Sequence, residues 1–483
     1  MNPNFAIPAA DLAALAPEIL LVGAGTLLLL LEAFLPALRR LFLPAAVAAV
    51  AAAAWLVVGL GSGTAFHALV ESTPLTGAFS LVVLAAAALS LLAAPAWLER
   101  HHLLTGEYPA LVLWCTAGLL LLLRGTELLT VFVALELFSV ALYGLCAWDR
   151  RSSHSAEAGI KYFLMGAFVS SFVLYGIALL FGETGTTRLD GIVAALDGGR
   201  GTPGLVLLGF LLVASGFAFK LSAVPFHAWS PDVYQGAPTP FVAFLSVAPK
   251  VASAAVLARV VLVAAESPMG ARWPALLGLL AVLSMLVGNL FALVQRDIKR
   301  MLAYSGVAHM GYLLIPLAAP GESSWQPMLV YLAAYALMNA GAFVIVSRFF
   351  PESGQQHPIS DLAGWGYRFP LLAACLTICL LSLGGIPPTA GFLGKFLVFL
   401  HAIENGRLAL ALVGIAASLI GVVVYLRVVY MLYMKPEIAT PPESLGLDTG
   451  GKLAAVLAAA ASLLLGLWPA LLIRWAAAAL PGG

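Results

Sequence analysis

Apolar residues in this chain come in long runs separated by short polar intervals, without the period-two alternation of a half-buried strand. Fourteen runs can be drawn, approximately over residues 15–36, 43–61, 76–98, 108–123, 127–147, 158–181, 204–224, 239–264, 274–294, 301–317, 327–350, 370–404, 408–434 and 452–475. Most approach or pass the roughly 20 residues that a helix needs to cross the hydrocarbon core of a bilayer. Strands of a membrane β-barrel are only about 10 residues long and alternate, so these Leu- and Ala-rich runs predict helices. The expected fold is an all-α polytopic membrane protein of about 14 transmembrane helices. The first run follows Asp11, Pro17 and Glu18 instead of a basic stretch, so it is expected to stay as the first span and not to be removed as a signal peptide.

Composition agrees. Hydrophobic residues make up 62% of the chain and charged residues 10%, with a mean hydropathy of +1.01; soluble domains carry about 25% charged residues. Lys and Arg divide unevenly among the connections. Arg39, Arg40, Arg100, Arg150, Arg151, Arg296, Lys299, Arg300, Arg348, Arg368, Lys435 and Lys452 fall on one side; Arg124, Arg188, Arg200, Arg272, Arg407 and Arg474 fall on the other. This excess predicts that the first side faces the cytoplasm and that both termini lie outside.

The remaining cations lie inside the runs or at their margins: Lys161, Lys220, Lys250, Arg259, Lys395 and Arg427. An ionised side chain at the bilayer centre costs at least about 2.5–3.5 kcal/mol. Arg259 and Arg427 lie far enough toward helix ends to snorkel to the headgroups. Lys161 opens its helix near Arg150 and Arg151, where it either snorkels or marks a proton entrance. Lys250 stands halfway along its run, Lys395 follows a proline pair, and Lys220 is followed by LSAVPFHAW, which does not leave the membrane cleanly. Glu136, near the centre of TVFVALELFSVALYGL, is the anion that answers them, and Lys220 is its expected partner. Burial lowers the proton affinity of an amine and a nearby carboxylate restores it. A buried lysine beside a movable carboxylate can therefore take up and release a proton near neutral pH.

Two interruptions support this reading. Pro225 follows Lys220, and Gly384, Gly385, Pro387 and Pro388 precede Lys395, so two helices are predicted to break. Broken spans survive where the freed backbone groups meet protein or water, as in transporters. Aligning Pro225 with Pro387 matches LSAVPFHA to LGGIPPTA, and the intervening five spans make the copies opposite in direction, an inverted repeat. His227 and His309 are either proton carriers or hydrogen-bonded structural residues; Tyr304 and Ser305 extend a polar path. Cys115, Cys146, Cys375 and Cys379 all lie in apolar runs and read as small hydrophobes. GAGTLLLL lacks the third glycine and the strand of a dinucleotide fingerprint. Neither a phosphate loop nor a nucleic-acid signature is visible, and no cofactor or metal is expected in this chain.

The segments LAPEILLVGAGTLLLLLEAF, VFVALELFSVALYGLCAW, EAGIKYFLMGAF, FKLSAVPFHAWSPDVYQGAPTPFVAFLSVAPK, RDIKRMLAYSGVAHMGY and GIPPTAGFLGKF occur in this order. Together they resemble the antiporter-like membrane subunits of bacterial NADH:quinone oxidoreductase, respiratory complex I. The VYQGAPTP and SVAPK block and the opening PEILL are most similar to the chain N group. The resemblance covers nearly the whole sequence. It implies two inverted five-helix repeats at approximately spans 4–8 and 9–13, giving segments 1–104, 105–265, 266–436 and 437–483. It also implies proton transport across the cell inner membrane, driven by electron transfer from NADH to quinone in other subunits, which would hold the NADH, flavin, iron–sulfur clusters and quinone. Matched by motif, Glu136 is the carboxylate partner, Lys220 the helix-7 lysine, Lys250 the connecting lysine and Lys395 the broken-helix lysine toward the outer exit; Lys161 matches the helix-6 position. Three other readings stay open: a subunit of a multisubunit cation/proton antiporter or membrane-bound hydrogenase, an autonomous secondary transporter, and a membrane scaffold.

Overall fold

Polar intervals set where the chain turns, and the computed structural model, which describes residues 8–267, 269–350, 356–437 and 449–480, turns at those it describes. After a short α1 (Ala9–Ala14), helices α2 (Ala16–Phe34) and α3 (Arg39–Gly59) lead to a hairpin of β1 (Gly63–Ala65) and β2 (Val70–Ser72), then α4 (Pro74–Arg100). Thr73 and Thr76 close a capping box over the first turn of α4, and Pro74 occupies a position that needs no amide hydrogen bond. The hairpin was not predicted; it fills the glycine-rich interval between the second and third runs.

Then come α5 (Glu107–Arg124), α6 (Leu128–Cys146), α7 (Ser153–Thr184), α8 (Leu189–Asp197), α9 (Pro203–Leu221), α10 (Trp229–Gly236), α11 (Thr239–Leu245) and α12 (Ala248–Ala265). They are followed by α13 (Trp273–Val294), α14 (Ile298–Leu317), α15 (Trp325–Phe349), α16 (Trp365–Arg368), α17 (Pro370–Gly384), α18 (Ala390–Glu404), α19 (Leu408–Met434), α20 (Thr449–Leu467) and α21 (Pro469–Ala478). Twelve spans among the described residues are long and apolar enough to cross a membrane. The 20-residue α14, whose first turn carries Lys299 and Arg300, and the pair α17 and α18 complete the predicted fourteen. Helices α12 and α15 are buried almost throughout, whereas α3, α7 and α19 keep one apolar face outward, as lipid-facing or partner-facing helices do.

The inverted repeat is visible in matched contacts. Leu128 N donates to Thr187 O at 2.8 Å, and Ile298 N to His357 O at 2.9 Å. Beside these, Glu127 bridges Arg188 and Asp297 bridges Pro358, in both cases antiparallel and at equal chain separation. The first set lies on the face opposite the basic connections and the second on the basic face, so the two halves are upside down relative to one another.

Both predicted breaks occur, with one shift in register. Helix α9 ends on Ser222, a non-glycine residue at φ 58°, with Ala223 N bonded back to Ala218 O. Helix α17 ends on Gly385 at φ 77°, with Ile386 N bonded back to Leu381 O. This is the same left-handed C-terminal motif, and it pairs Ser222 with Gly385 and hence Pro225 with Pro388, one residue later than the sequence match through Pro387. Two further interruptions were not foreseen. The eighth run breaks at Ser246 and Val247, so Lys250 lies in the first turn of α12 and not at the middle of a continuous helix. The last run breaks before Pro469.

Candidate functional site: a row of buried amines

Lys220 occupies the last turn of α9. Its Nζ donates to Ser139 Oγ on α6 at 2.8 Å and lies over the rings of Phe138, Tyr143, Tyr162 and Phe219, with centroids 5.1–5.8 Å away. Aromatic faces attract a cation most strongly where water is excluded. Among the described residues no ion pair joins Glu136 to Lys220. The Glu136 carboxylate instead accepts from Ser170 Oγ on α7 at 2.5 Å. The expected direct pair is therefore replaced by an arrangement in which Ser139, one turn along α6 from Glu136 and on the same face, stands against the amine.

Lys250 is fully buried, and among the described residues its Nζ has no hydrogen-bond partner. The Tyr234 ring lies 5.9 Å away. A Cβ at position 306 would come within 3.0 Å of Lys250 Nζ and 3.2 Å of Tyr335 Oη, so Gly306 makes room for both. Tyr335 Oη donates to Ser246 O at 3.3 Å and Asn339 Nδ2 to Ser246 Oγ at 2.8 Å, holding the chain just before Lys250. Between Lys220 and Lys250 runs an aromatic column: Tyr162 stacks on Trp229 at 4.4 Å, and Trp229 meets Tyr234 edge-on at 6.0 Å. Among the described residues, Ser222 Oγ and Tyr234 Oη beside this column, and His227 Nδ1 and Ser253 Oγ in the adjoining segments, are also buried without a hydrogen-bond partner.

Lys395 lies in the second turn of α18 and donates to Leu383 O and Gly384 O, each at 3.0 Å, and to Ser418 Oγ on α19 at 2.8 Å. Its amine thus caps the carbonyl end of the other half of its own broken helix, where the helix dipole favours a cation. Tyr312 presents its ring 4.9 Å from Nζ. His309 meets the ring of Tyr312, which faces Lys395, and the ring of Tyr335, which shares the space at Gly306 with Lys250. Its Nδ1 meets Tyr331 Oη at 2.6 Å and its Nε2 meets Tyr425 Oη at 3.1 Å; Tyr425 in turn bonds Ser305 at 2.5 Å. Tyr304 stacks on Phe291 instead and stays outside this network.

Ser139, Gly306 and Ser418, which stand against the three amines, lie ten or eleven residues along α6, α14 and α19 from the helix ends on the non-basic face. At a rise of about 1.5 Å per residue this is roughly 15–17 Å, near the middle of a bilayer.

At the basic face Lys161 forms ion pairs with Glu157 at 2.6 Å and Asp232 at 2.9 Å, and the other Asp232 oxygen binds Arg300 at 2.7 Å. The cluster joins α7, α10 and α14 beside a cleft of about 90 Å³ lined by Glu157, Lys161, Asp232 and Gln235. Arg259 and Arg427 both reach toward helix ends, where they meet backbone carbonyls. Arg259 donates to Leu122 O, Leu123 O and Gly125 O at 2.7–3.3 Å, and Arg427 to Leu293 O and Gln295 O at 2.5–2.6 Å. In each repeat an arginine of the last helix thus closes the carbonyl end of the first, satisfying carbonyls that have no partner within their own helix. Ser305 joins the network as its polar position suggests, whereas Ser139, Ser418, Tyr331 and Tyr425 carry no signal in the sequence, since such residues are common in membrane helices. Asp232, an ionised residue soon after a predicted break, does. The four cysteines are buried free thiols. Among the described residues no group of three or more His, Cys, Asp or Glu is placed to hold a metal ion.

Residues 125–421 match the family model described as NADH:quinone oxidoreductase/Mrp antiporter, TM. NADH-quinone oxidoreductase subunit N of Trichlorobacter lovleyi is 39% identical over 482 residues, covering 96% of each chain. A chain of respiratory complex I from Thermus thermophilus with bound aureothin superposes with a TM-score of 0.81 at 32% identity, covering 95% of this chain and 98% of that one. A chain of the Mrp complex from Dietzia sp. shares the fold at a TM-score of 0.82 and 21% identity, with 96% of each chain covered.

Proposed function

The chain belongs to the subunit N family of NADH-quinone oxidoreductase, and on that premise we propose that it carries protons across the cell inner membrane as part of a respiratory complex I. Electron transfer from NADH to quinone in partner subunits drives the transport. NADH, flavin, iron–sulfur clusters and quinone belong to those partners; this chain contributes residues that hold and move protons. Its neighbours are the other membrane subunits, antiporter-like sister chains among them. The basic connections face the cytoplasm and both termini the periplasm. Residues 1–104 form an N-terminal three-helix segment, 105–265 and 266–436 the two antiporter-like repeats, and 437–483 the C-terminal helical segment.

The observation that carries this reading is a row of three buried amines, Lys220, Lys250 and Lys395, each beside a helix break. Buried polar atoms without protein partners between the first two are groups that water satisfies in membrane interiors. Protons taken up at the basic face reach Lys220 under the influence of Glu136, pass through Lys250 and His309 to Lys395, and leave on the opposite side. His227, beside the first break, and Lys161, in the rim cleft, serve the uptake leg. In the intact complex, Lys220→Ala and Glu136→Gln should each lower proton pumping and coupled NADH oxidation while the complex still assembles. Wild-type pumping in both variants refutes the relay. The antiporter-subunit reading shares the fold but draws on relatives of lower identity; co-purification with NADH-oxidising and iron–sulfur subunits separates the two.

A further inference from the structure

His401 is a buried imidazole that the relay so far leaves unused. It lies near the end of α18, 5% exposed, and α18 runs from the mid-membrane break toward the non-basic face. Its Nε2 meets Ala319 O, just past the end of α14, at 3.4 Å, and its Nδ1 meets the Asn405 amide at 3.4 Å. Asn405 is exposed, so one ring nitrogen adjoins the surface while the other points into the seam between α14 and α18. Ser324, buried, donates to the same Ala319 carbonyl and to Pro316 O, each at 3.2 Å. The result is a polar cluster at the outer end of an otherwise apolar seam.

Helices α14 and α18 run in the same direction here and are joined at two levels. Inside, Lys395 Nζ stands against the Tyr312 ring; outside, His401 stands against Ala319. Six residues of helix separate Lys395 from His401, about 9 Å at 1.5 Å per residue. Between the two levels on α14 lies Pro316, which has no amide to give the carbonyl of Tyr312. The backbone bond from residue 316 to the Tyr312 carbonyl is therefore missing from α14 between the two levels. Buried acceptors of this kind bind water.

Resting on the relay reading above, we infer that His401 is the outward release station: it accepts the proton that Lys395 gives up and delivers it to the periplasmic surface. The step balances. The Lys395 ammonium loses a proton and becomes a neutral amine, water carries that proton outward, and the His401 imidazole takes it up at Nδ1 to become imidazolium, because Nε2 already holds the hydrogen that faces Ala319 O. The imidazolium then releases that proton to bulk water beside Asn405 and returns to neutral. No electron or second reactant is needed.

The test uses the whole complex in proteoliposomes, reading the initial rate at which NADH oxidation builds a membrane potential. His401→Ala should slow this by an order of magnitude, less than the roughly 100-fold contribution of many positioned proton-transfer groups because water still conducts. Added imidazole should restore it by occupying the space vacated by the ring, a rescue that a structural role would not show. His401→Gln, which keeps both hydrogen bonds but carries no proton, should be equally slow and guards against a packing defect in the alanine variant. Lys395→Ala should be slow and unrescued. If both His401 variants match wild type while Lys395→Ala is slow, release by His401 is overturned and the relay stands. If His401→Ala is slow but imidazole does not help, the residue is structural and the inference fails. If Lys395→Ala itself pumps normally, the relay reading fails first.

Discussion

Replacing Lys250 with methionine should make the protein more stable and less useful. The amine at this position has no hydrogen-bond partner and no exposed surface. As an ammonium it forfeits at least about 2.5–3.5 kcal/mol of hydration. The protein returns only a Tyr234 ring 5.9 Å away, worth about 0.5–2 kcal/mol. As a neutral amine it is still an unpaired buried polar group costing about 1–3 kcal/mol. Methionine follows the same path with a similar volume and nothing to satisfy, so Lys250→Met should stabilise the chain by about 1–3 kcal/mol in either protonation state. Proton transport should fall in the same variant, because the link between Lys220 and Lys395 is gone. The two readouts are the midpoint of denaturant unfolding of the purified complex, followed by tryptophan fluorescence, and NADH-driven pumping in proteoliposomes. A midpoint that falls, or pumping that survives, refutes the claim that this amine is kept at the expense of stability for the sake of its proton.

Two other buried charges should behave in the opposite sense. Arg124 binds both Glu18 oxygens at 2.6 and 2.9 Å, with Ala14 O and Ser72 Oγ at 2.6 Å, and both side chains are nearly inaccessible. Glu18→Leu strands the guanidinium and should cost about 3–5 kcal/mol, while the double variant with Arg124→Met should recover most of the loss, since apolar replacement of a whole buried pair is close to neutral. Arg259→Met leaves the α5 carbonyls without their donor and should cost about 2–3 kcal/mol by the same unfolding assay. Arg427→Met should match it in sign, because the arginine clasp recurs in both repeats.

Much of this architecture is legible in the sequence because lipid imposes it: a span must be long, apolar and internally hydrogen-bonded. The fourteen runs, the breaks at Pro225 and Pro387–Pro388, and the odd cations inside apolar segments are all consequences of that constraint. What the sequence hides is decided by neighbours far along the chain. Nothing near Lys220 announces Ser139, and nothing near Arg259 announces that the nearest acceptors are the carbonyls ending α5. The break before Lys250 was missed although Pro249 marks it, because a proline in the second position of a helix is as compatible with a start as with a kink. The repeat was aligned one residue early because two adjacent prolines compete for the match, and only the left-handed residues Ser222 and Gly385 fix the register.

Lys220 precedes its break and Lys395 follows its own, so the two are not equivalents under the inverted repeat. In the relay proposed above, this displacement sets how much of the proton's path runs across the membrane and how much runs along it. A charge that moves parallel to the membrane plane stays on one equipotential and does no work against a voltage worth about 2.3 kcal/mol per elementary charge per 100 mV. If protons follow that relay, the electrical work falls on the uptake and release legs, and a back-pressure of voltage would stall transport there while leaving the lateral steps free.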